Sequence, residues 1–79
     1  TSNQPWVIIK QLCESGIKFH RDFHETKPCD TELSRRLTEI EKLARSHNFI
    51  NEILHILRSK QSLLERLKQI LKYANRKII

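Results

Sequence analysis

The sequence predicts an all-α fold, a small up-and-down bundle of three or four helices. Its 79 residues suffice for one small domain but not for a barrel or a nucleotide-binding α/β sheet. The single glycine disfavours a sheet, whose tight hairpins depend on glycine, and excludes a glycine-rich phosphate loop. Over most of the chain, apolar residues recur every three or four positions, which is the period of amphipathic helices.

The first helix is predicted to run from Pro5 to about Glu25, because proline is tolerated at the first helical position. Gly16 lies on its apolar face, where it either lets a neighbouring helix approach closely or ends a shorter helix at Ser15. We favour the long helix. The apolar face consists of Ile8, Leu12, Phe19 and Phe23, widened by Ile9, Cys13 and Ile17.

Residues 1–4 are predicted to be the remnant of a polar linker, with Asn3 or Gln4 capping the first helix, and residues 5–79 a single helical domain. The chain begins with Thr1 and carries no signal peptide. It is therefore either a processed mature chain or, as we favour, a domain of a longer protein. The lack of an Asn-x-Ser/Thr sequence favours an intracellular location, in the nucleus or the cytoplasm.

A second helix is predicted from an N-cap at Asp30 to about Ser46. Pro28 disfavours helical torsions at the residue before it, and an acidic residue in the first turn, Glu32, suits the helix dipole. The buried face of this helix is predicted to contain Leu33, Leu37, Ile40, Leu43 and Ala44.

The rest of the chain permits two interpretations after a turn at His47 and Asn48, with Asn48 as the next cap. Ser62 and Glu65 have the spacing of a capping box, which would start a separate fourth helix at Leu63. Alternatively, one helix from Phe49 to about Lys77 would carry a heptad repeat and could form a coiled coil between copies of the chain. We favour the break.

Positive charge is concentrated in the last third of the sequence. The net charge is +6, but eight basic and eight acidic residues balance through Ile56, and seven basic residues then face Glu65 alone. The helical period places Lys68, Lys72 and Arg76 in one stripe opposite the apolar face of the last helix. Such a stripe suits phosphates or an acidic protein surface.

The sequence offers little for catalysis or metal binding. His20 and His24 stand four residues apart, and Cys13 and Cys29 complete a formal zinc ligand set, but the cysteines lack the paired spacing of zinc fingers. We expect no metal, no cofactor and no catalytic residue, because a small bundle has little concave space for a substrate. The two cysteines are expected to be free, since disulfide-dependent small domains usually carry more.

The segment Leu67–Ile79, LKQILKYANRKII, resembles part of the helical modules of transcription-elongation and integrase-binding proteins. It covers under a fifth of the chain. The resemblance implies a docking role, because such modules bind short linear peptides of partner proteins.

The favoured function is a non-enzymatic protein-interaction module that docks an acidic or amphipathic segment of a partner protein. Phe19, Phe23 and Trp6 would form an apolar groove at the ends of the first two helices, although Trp6 is most simply a lid on the core. Lys68, Lys72 and Arg76 would steer the partner. The alternatives are a nucleic-acid-binding domain that uses the same stripe, a secreted helical factor with one disulfide, and a homo-oligomer; membrane binding is not expected.

Overall fold

Four helices make up most of residues 4–78, the part of the chain that the computed structural model describes. They are α1 (Gln4–Phe23), α2 (Asp30–Ser46), α3 (Ile50–Leu57) and α4 (Leu63–Lys77). Gln4, predicted to be the last linker residue, is instead the first residue of α1. The rest of the predicted linker, with the alternative cap Asn3, lies outside the described residues.

The helices alternate in direction, which confirms the predicted up-and-down bundle. The ring of Trp6, near the start of α1, lies 5.4 Å from that of Tyr73, near the end of α4, so these two helices are antiparallel. Tyr73 also donates a hydrogen bond to Glu52 near the start of α3, so α3 and α4 are antiparallel. α1 packs against α2 and α4, and α3 packs against the same two helices.

The core is apolar and draws on all four helices. Among the described residues, no polar or charged side chain is buried. The bulkiest fully buried side chains are those of Ile9, Ile40, Ile53, Leu67 and Ile70. The four amphipathic faces therefore share one interior, in which each helix covers apolar surface that the others could not cover alone.

The face that α1 turns to the core agrees with the predicted one except at Ile8. Trp6, Ile9 and Cys13 are buried, whereas Ile8, predicted to lie on the apolar face, is 38% exposed. Close packing at Gly16 and the enclosure of Trp6 fix the rotation of α1, so that Ile9 and Cys13 lie at the centre of the buried face and Leu12, Ile17 and Phe19 are only partly buried. The hydrophobic period alone does not show which of these residues lie at the centre.

Gly16 is a point of close helix approach, and α1 continues through it. A Cβ atom at this position would lie 2.8 Å from Cδ1 of Leu67 and 2.9 Å from Cδ of Arg36. The predicted long first helix is therefore confirmed, although it ends at Phe23 rather than Glu25. A residue with a side chain would push α1 away from its neighbours.

The start of α2 lacks the predicted cap. Asp30 is its first helical residue, and the N-cap is Cys29, which makes no side-chain capping hydrogen bond. The carboxylates of Asp30 and Glu32 both lie in the first turn, where they complement the positive end of the helix dipole. The predicted N-cap, Asp30, was wrong by one position, because Cys29 is the residue that flanks the first helical residue.

Asn48 does not cap α3. It lies two residues after Ser46, the last helical residue of α2, and belongs to the turn that terminates that helix. Its φ is 64°, a left-handed conformation that asparagine tolerates better than most residues. The N–H groups of Asn48 and Phe49 donate to the carbonyls of Arg45 and Ala44, the paired bonds of a Schellman motif. Phe49 is then the N-cap of α3, so the chain reverses within a few residues.

The break between α3 and α4 is confirmed, and the single long helix is wrong. Ser62 has an extended conformation, and its hydroxyl accepts a hydrogen bond from the N–H of Glu65. Arg66 donates to the carbonyl of Ser59 over 2.7 Å, which holds the connecting loop against α4. The heptad pattern is thereby divided between two antiparallel helices.

We expect Ser62→Ala to lower the free energy of unfolding by about 1 kcal/mol, because the Glu65 N–H loses its acceptor at the start of α4. Urea denaturation followed by circular dichroism measures this loss. Ser34→Ala, an exposed serine within α2, is the control and should cost nothing. If Ser62→Ala were no worse than this control, the cap would contribute nothing to stability.

Candidate functional site

The solvent side of α4 carries a line of exposed cations, which we call the basic face: Lys68, Lys72 and Arg76. Leu67, Ile70 and Ala74 are buried on the opposite side of the same helix. Because an α-helix rises 1.5 Å per residue, the line is about 12 Å long. The structure thus keeps together the three basic residues that the sequence placed in one stripe.

Two cations of the basic face have no partner carboxylate. Within residues 4–78, neither Lys72 nor Arg76 forms an ion pair, and Lys68 has only an exposed contact of 3.7 Å with Glu65. On α2, by contrast, Arg35, Arg36 and Arg45 are each paired with Glu32 or Glu41. The uneven charge of the sequence therefore becomes an uncompensated positive surface in the fold.

Lys77 and Tyr73 contact Glu52 of α3 and do not belong to this face. Tyr73 donates a 2.6 Å hydrogen bond to Glu52, and Nζ of Lys77 lies 3.0 Å from the same carboxylate. The hydrogen bond from Tyr73, followed by that from Lys77, holds the pKa of Glu52 below its usual range. The bond with Glu52 also raises the pKa of Tyr73. These contacts tie α3 to α4.

Arg66 belongs to the basic excess of the sequence, but it has a structural position. Its side chain bonds to the carbonyl of Ser59, and its Nε is buried without a hydrogen-bond partner. No local pattern in the sequence distinguishes Arg66 from the exposed cations around it, because its contact depends on how the α3–α4 loop folds back. It is not part of the basic face.

Phe19 and Phe23 lie on the side of α1 that faces α2, away from the basic face. Their ring centroids are 5.0 Å apart, beside a shallow groove of about 190 Å³. Arg36 lies over the Phe19 ring at 5.8 Å, and Lys27 over the Phe23 ring at 4.8 Å. Both rings therefore already have cationic partners within the protein.

Trp6 is separate from these two phenylalanines, and its ring is enclosed. It is 6% exposed and stacks on Phe49 with a centroid distance of 4.3 Å. Thirteen residues of helix place Trp6 about 20 Å from Phe19, at the opposite end of α1. The predicted groove shared by Trp6, Phe19 and Phe23 is therefore not formed, and Trp6 closes one end of the core.

The histidines and cysteines do not assemble into a metal centre. His20 and His24 stack with centroids 5.1 Å apart beside an open cleft of about 300 Å³, which Cys29 also lines. Cys13 is fully buried elsewhere in the core, and burial, reinforced by the charge of Glu14, raises the pKa of its thiol to about 12. Both cysteines are free. Among the described residues, no three potential ligands lie close enough to hold a metal ion.

None of the helices in residues 4–78 is long and apolar enough to cross a membrane. Comparison of the chain with protein-family models, with curated proteins and with solved structures finds no match. None of the three comparisons matches the segment Leu67–Ile79 to elongation or integrase-binding modules.

Proposed function

We propose that the chain is a non-enzymatic, intracellular protein-interaction module whose basic face docks an acidic segment of a partner protein. The proposal rests on which basic side chains form ion pairs with carboxylates and which do not. The three arginines of α2 are paired with neighbouring carboxylates, whereas Lys72 and Arg76 are exposed and without a carboxylate partner among the described residues. A surface of this kind attracts carboxylates and orients them before contact.

The basic face supports steering more than tight binding. An exposed ion pair contributes about 0.2–1 kcal/mol, so three such pairs add only a few kcal/mol before the entropic cost of association. The contact should therefore weaken as salt rises, because salt screens exposed charges. Most of the affinity has to come from apolar contacts near the face.

A protein partner is favoured over a nucleic acid by the side chains around the cations. The exposed residues of α4 include no aromatic ring on which a base could stack. Tyr73, the one aromatic residue of this helix, is held by Glu52. Phosphates alone would give binding without sequence preference.

We expect the triple variant Lys68/Lys72/Arg76→Glu to fold normally and to lose at least about tenfold in affinity for a labelled peptide rich in Asp and Glu, since three attractions become repulsions. Fluorescence anisotropy over a salt series measures this loss. Labelled duplex DNA and single-stranded RNA are measured alongside the peptide.

The matched control is Lys18/Arg35/Lys42→Glu, which changes the net charge equally but at exposed positions on α1 and α2. It should keep most of the affinity for the acidic peptide. Equal losses in the two triple variants would show that only net charge matters and would refute the docking face. Tighter binding of either nucleic acid than of the peptide, at the same salt, would favour the nucleic-acid alternative.

A further inference from the structure

We infer that the partner segment is an acidic amphipathic helix, and that its apolar side lies in the groove between α1 and α4, next to the basic face. This inference rests on the proposed function, since the basic face supplies the charged contacts. It identifies the apolar contact that would supply most of the affinity, which exposed ion pairs alone do not provide, and it specifies that the partner segment is helical.

Three half-buried apolar side chains, those of Ile17, Leu64 and Leu71, define this groove, and Leu64 also lines the open cleft beside His20 and His24. Leu64 and Leu71 lie on the side of α4 that also holds Lys68, because these positions are separated by three or four residues. The packing of Gly16 against Leu67 sets the register of the antiparallel helices, which places Ile17 of α1 across the groove from these leucines. All three apolar side chains pack against the core but keep part of their surface exposed.

The rims of the groove are mainly basic. On the α4 side, Lys68 and Lys72 lie beside the leucines, and on the α1 side the helical period places Lys10 and Arg21 beside Ile17. Arg21 has an exposed contact of 3.6 Å with Asp22. Glu14 is the acidic residue on that side of α1. An apolar floor between cationic rims is complementary to an apolar stripe flanked by carboxylates.

The spacing of the floor favours a helix as the occupant. Leu64 and Leu71 are seven residues apart, about 10 Å along α4. That length matches two turns of a partner helix, which presents apolar anchors at positions i, i+3 or i+4, and i+7. The groove beside Phe19 and Phe23 is a poorer match, because Asp22 lines it and its rings are covered by Arg36 and Lys27.

The test begins with selection of peptides from a random display library against the intact chain. We expect the enriched peptides to combine Asp and Glu with apolar residues at helical spacing. A labelled enriched peptide is then titrated into ¹⁵N-labelled protein, and the largest amide shifts should lie around Ile17, Leu64 and Leu71. This readout needs no variant and therefore does not depend on how a substitution folds.

Two matched variants give the second readout. Leu71→Gln should weaken binding of the enriched peptide at least tenfold, whereas Leu43→Gln, at a leucine on α2 that is also half-buried, should change it less than twofold. Circular dichroism verifies that both variants are folded. Equal effects of the two substitutions would overturn the groove assignment.

The outcomes separate this inference from the proposed function. The inference alone would be overturned by acidic peptides that bind the Lys68/Lys72/Arg76→Glu variant more weakly but shift the amides around Phe19 and Phe23. Acidic peptides that bind this variant more weakly but lack apolar residues at helical spacing would overturn it as well. Enriched peptides without acidic residues, peptides indifferent to reversal of the basic face, or no enrichment at all would overturn both.

Discussion

Trp6→Ala is expected to lower the free energy of unfolding by about 3–5 kcal/mol, a large part of the stability of a domain of this size. The indole ring is 6% exposed, stacks on Phe49 and lies 5.4 Å from the ring of Tyr73. It therefore joins the start of α1 to the start of α3 and the end of α4. Alanine would leave a cavity between α1, α3 and α4, and these three helices cannot all move inward to fill it.

Urea denaturation followed by circular dichroism measures the effect, since the variant lacks the only tryptophan of the chain. The control is Val7→Ala, at the next residue of the same helix, whose side chain is 37% exposed. It should cost less than about 1 kcal/mol, because little buried surface is removed. If the two variants lost equal stability, Trp6 would not be a core residue.

Gly16→Val is expected to lower the free energy of unfolding by about 3 kcal/mol. Even a Cβ atom would lie 2.8 Å from the side chain of Leu67, which is fully buried and cannot move into solvent. Valine adds two further methyl groups at this contact. The helices α1 and α4 would have to separate, and the apolar surface between them would be partly lost.

Two comparisons isolate the cause. Gly16→Ala should cost less, since alanine gains about 1 kcal/mol of helix propensity that partly offsets the contact with Leu67. Gln11→Val, at an exposed position of α1, reports the effect of a β-branched residue without that contact and should cost only about 0.5 kcal/mol. A loss in Gly16→Val no larger than in Gln11→Val would mean that α1 and α4 do not require glycine at this contact.

The elements with strong local signals were predicted correctly. Ser62 and Glu65 mark the start of α4 because a cap needs only a hydroxyl and an N–H three residues apart. The boundaries of α2 follow Pro28 and the apolar period in the same way. The caps at Asp30 and Asn48 were misassigned, because adjacent residues can each satisfy a helix end and the chosen one depends on the turn between helices.

The sequence predicted which basic residues share the exposed face of α4, but it did not predict the contacts that neighbouring basic residues make with other parts of the fold. Lys68, Lys72 and Arg76 share a face by helical spacing alone, and burial of the opposite face turns them to solvent. That Lys77 is neutralised by Glu52, and that Arg66 braces a loop, depends on residues that α3 and its loop bring back to α4. The sequence contains no local pattern for these contacts.

By itself, the sequence determined the all-α class and the concentration of positive charge on the last helix, and it favoured the break before α4 without deciding it. These depend on residues within one or two helical turns, where spacing along the chain fixes spacing in space. Only the tertiary structure decided that Trp6 is enclosed far from Phe19 and that Ile8 points outward while Ile9 is buried. Those features arise from the packing of distant segments, in which the shape of each helix selects the rotation and register of its neighbours.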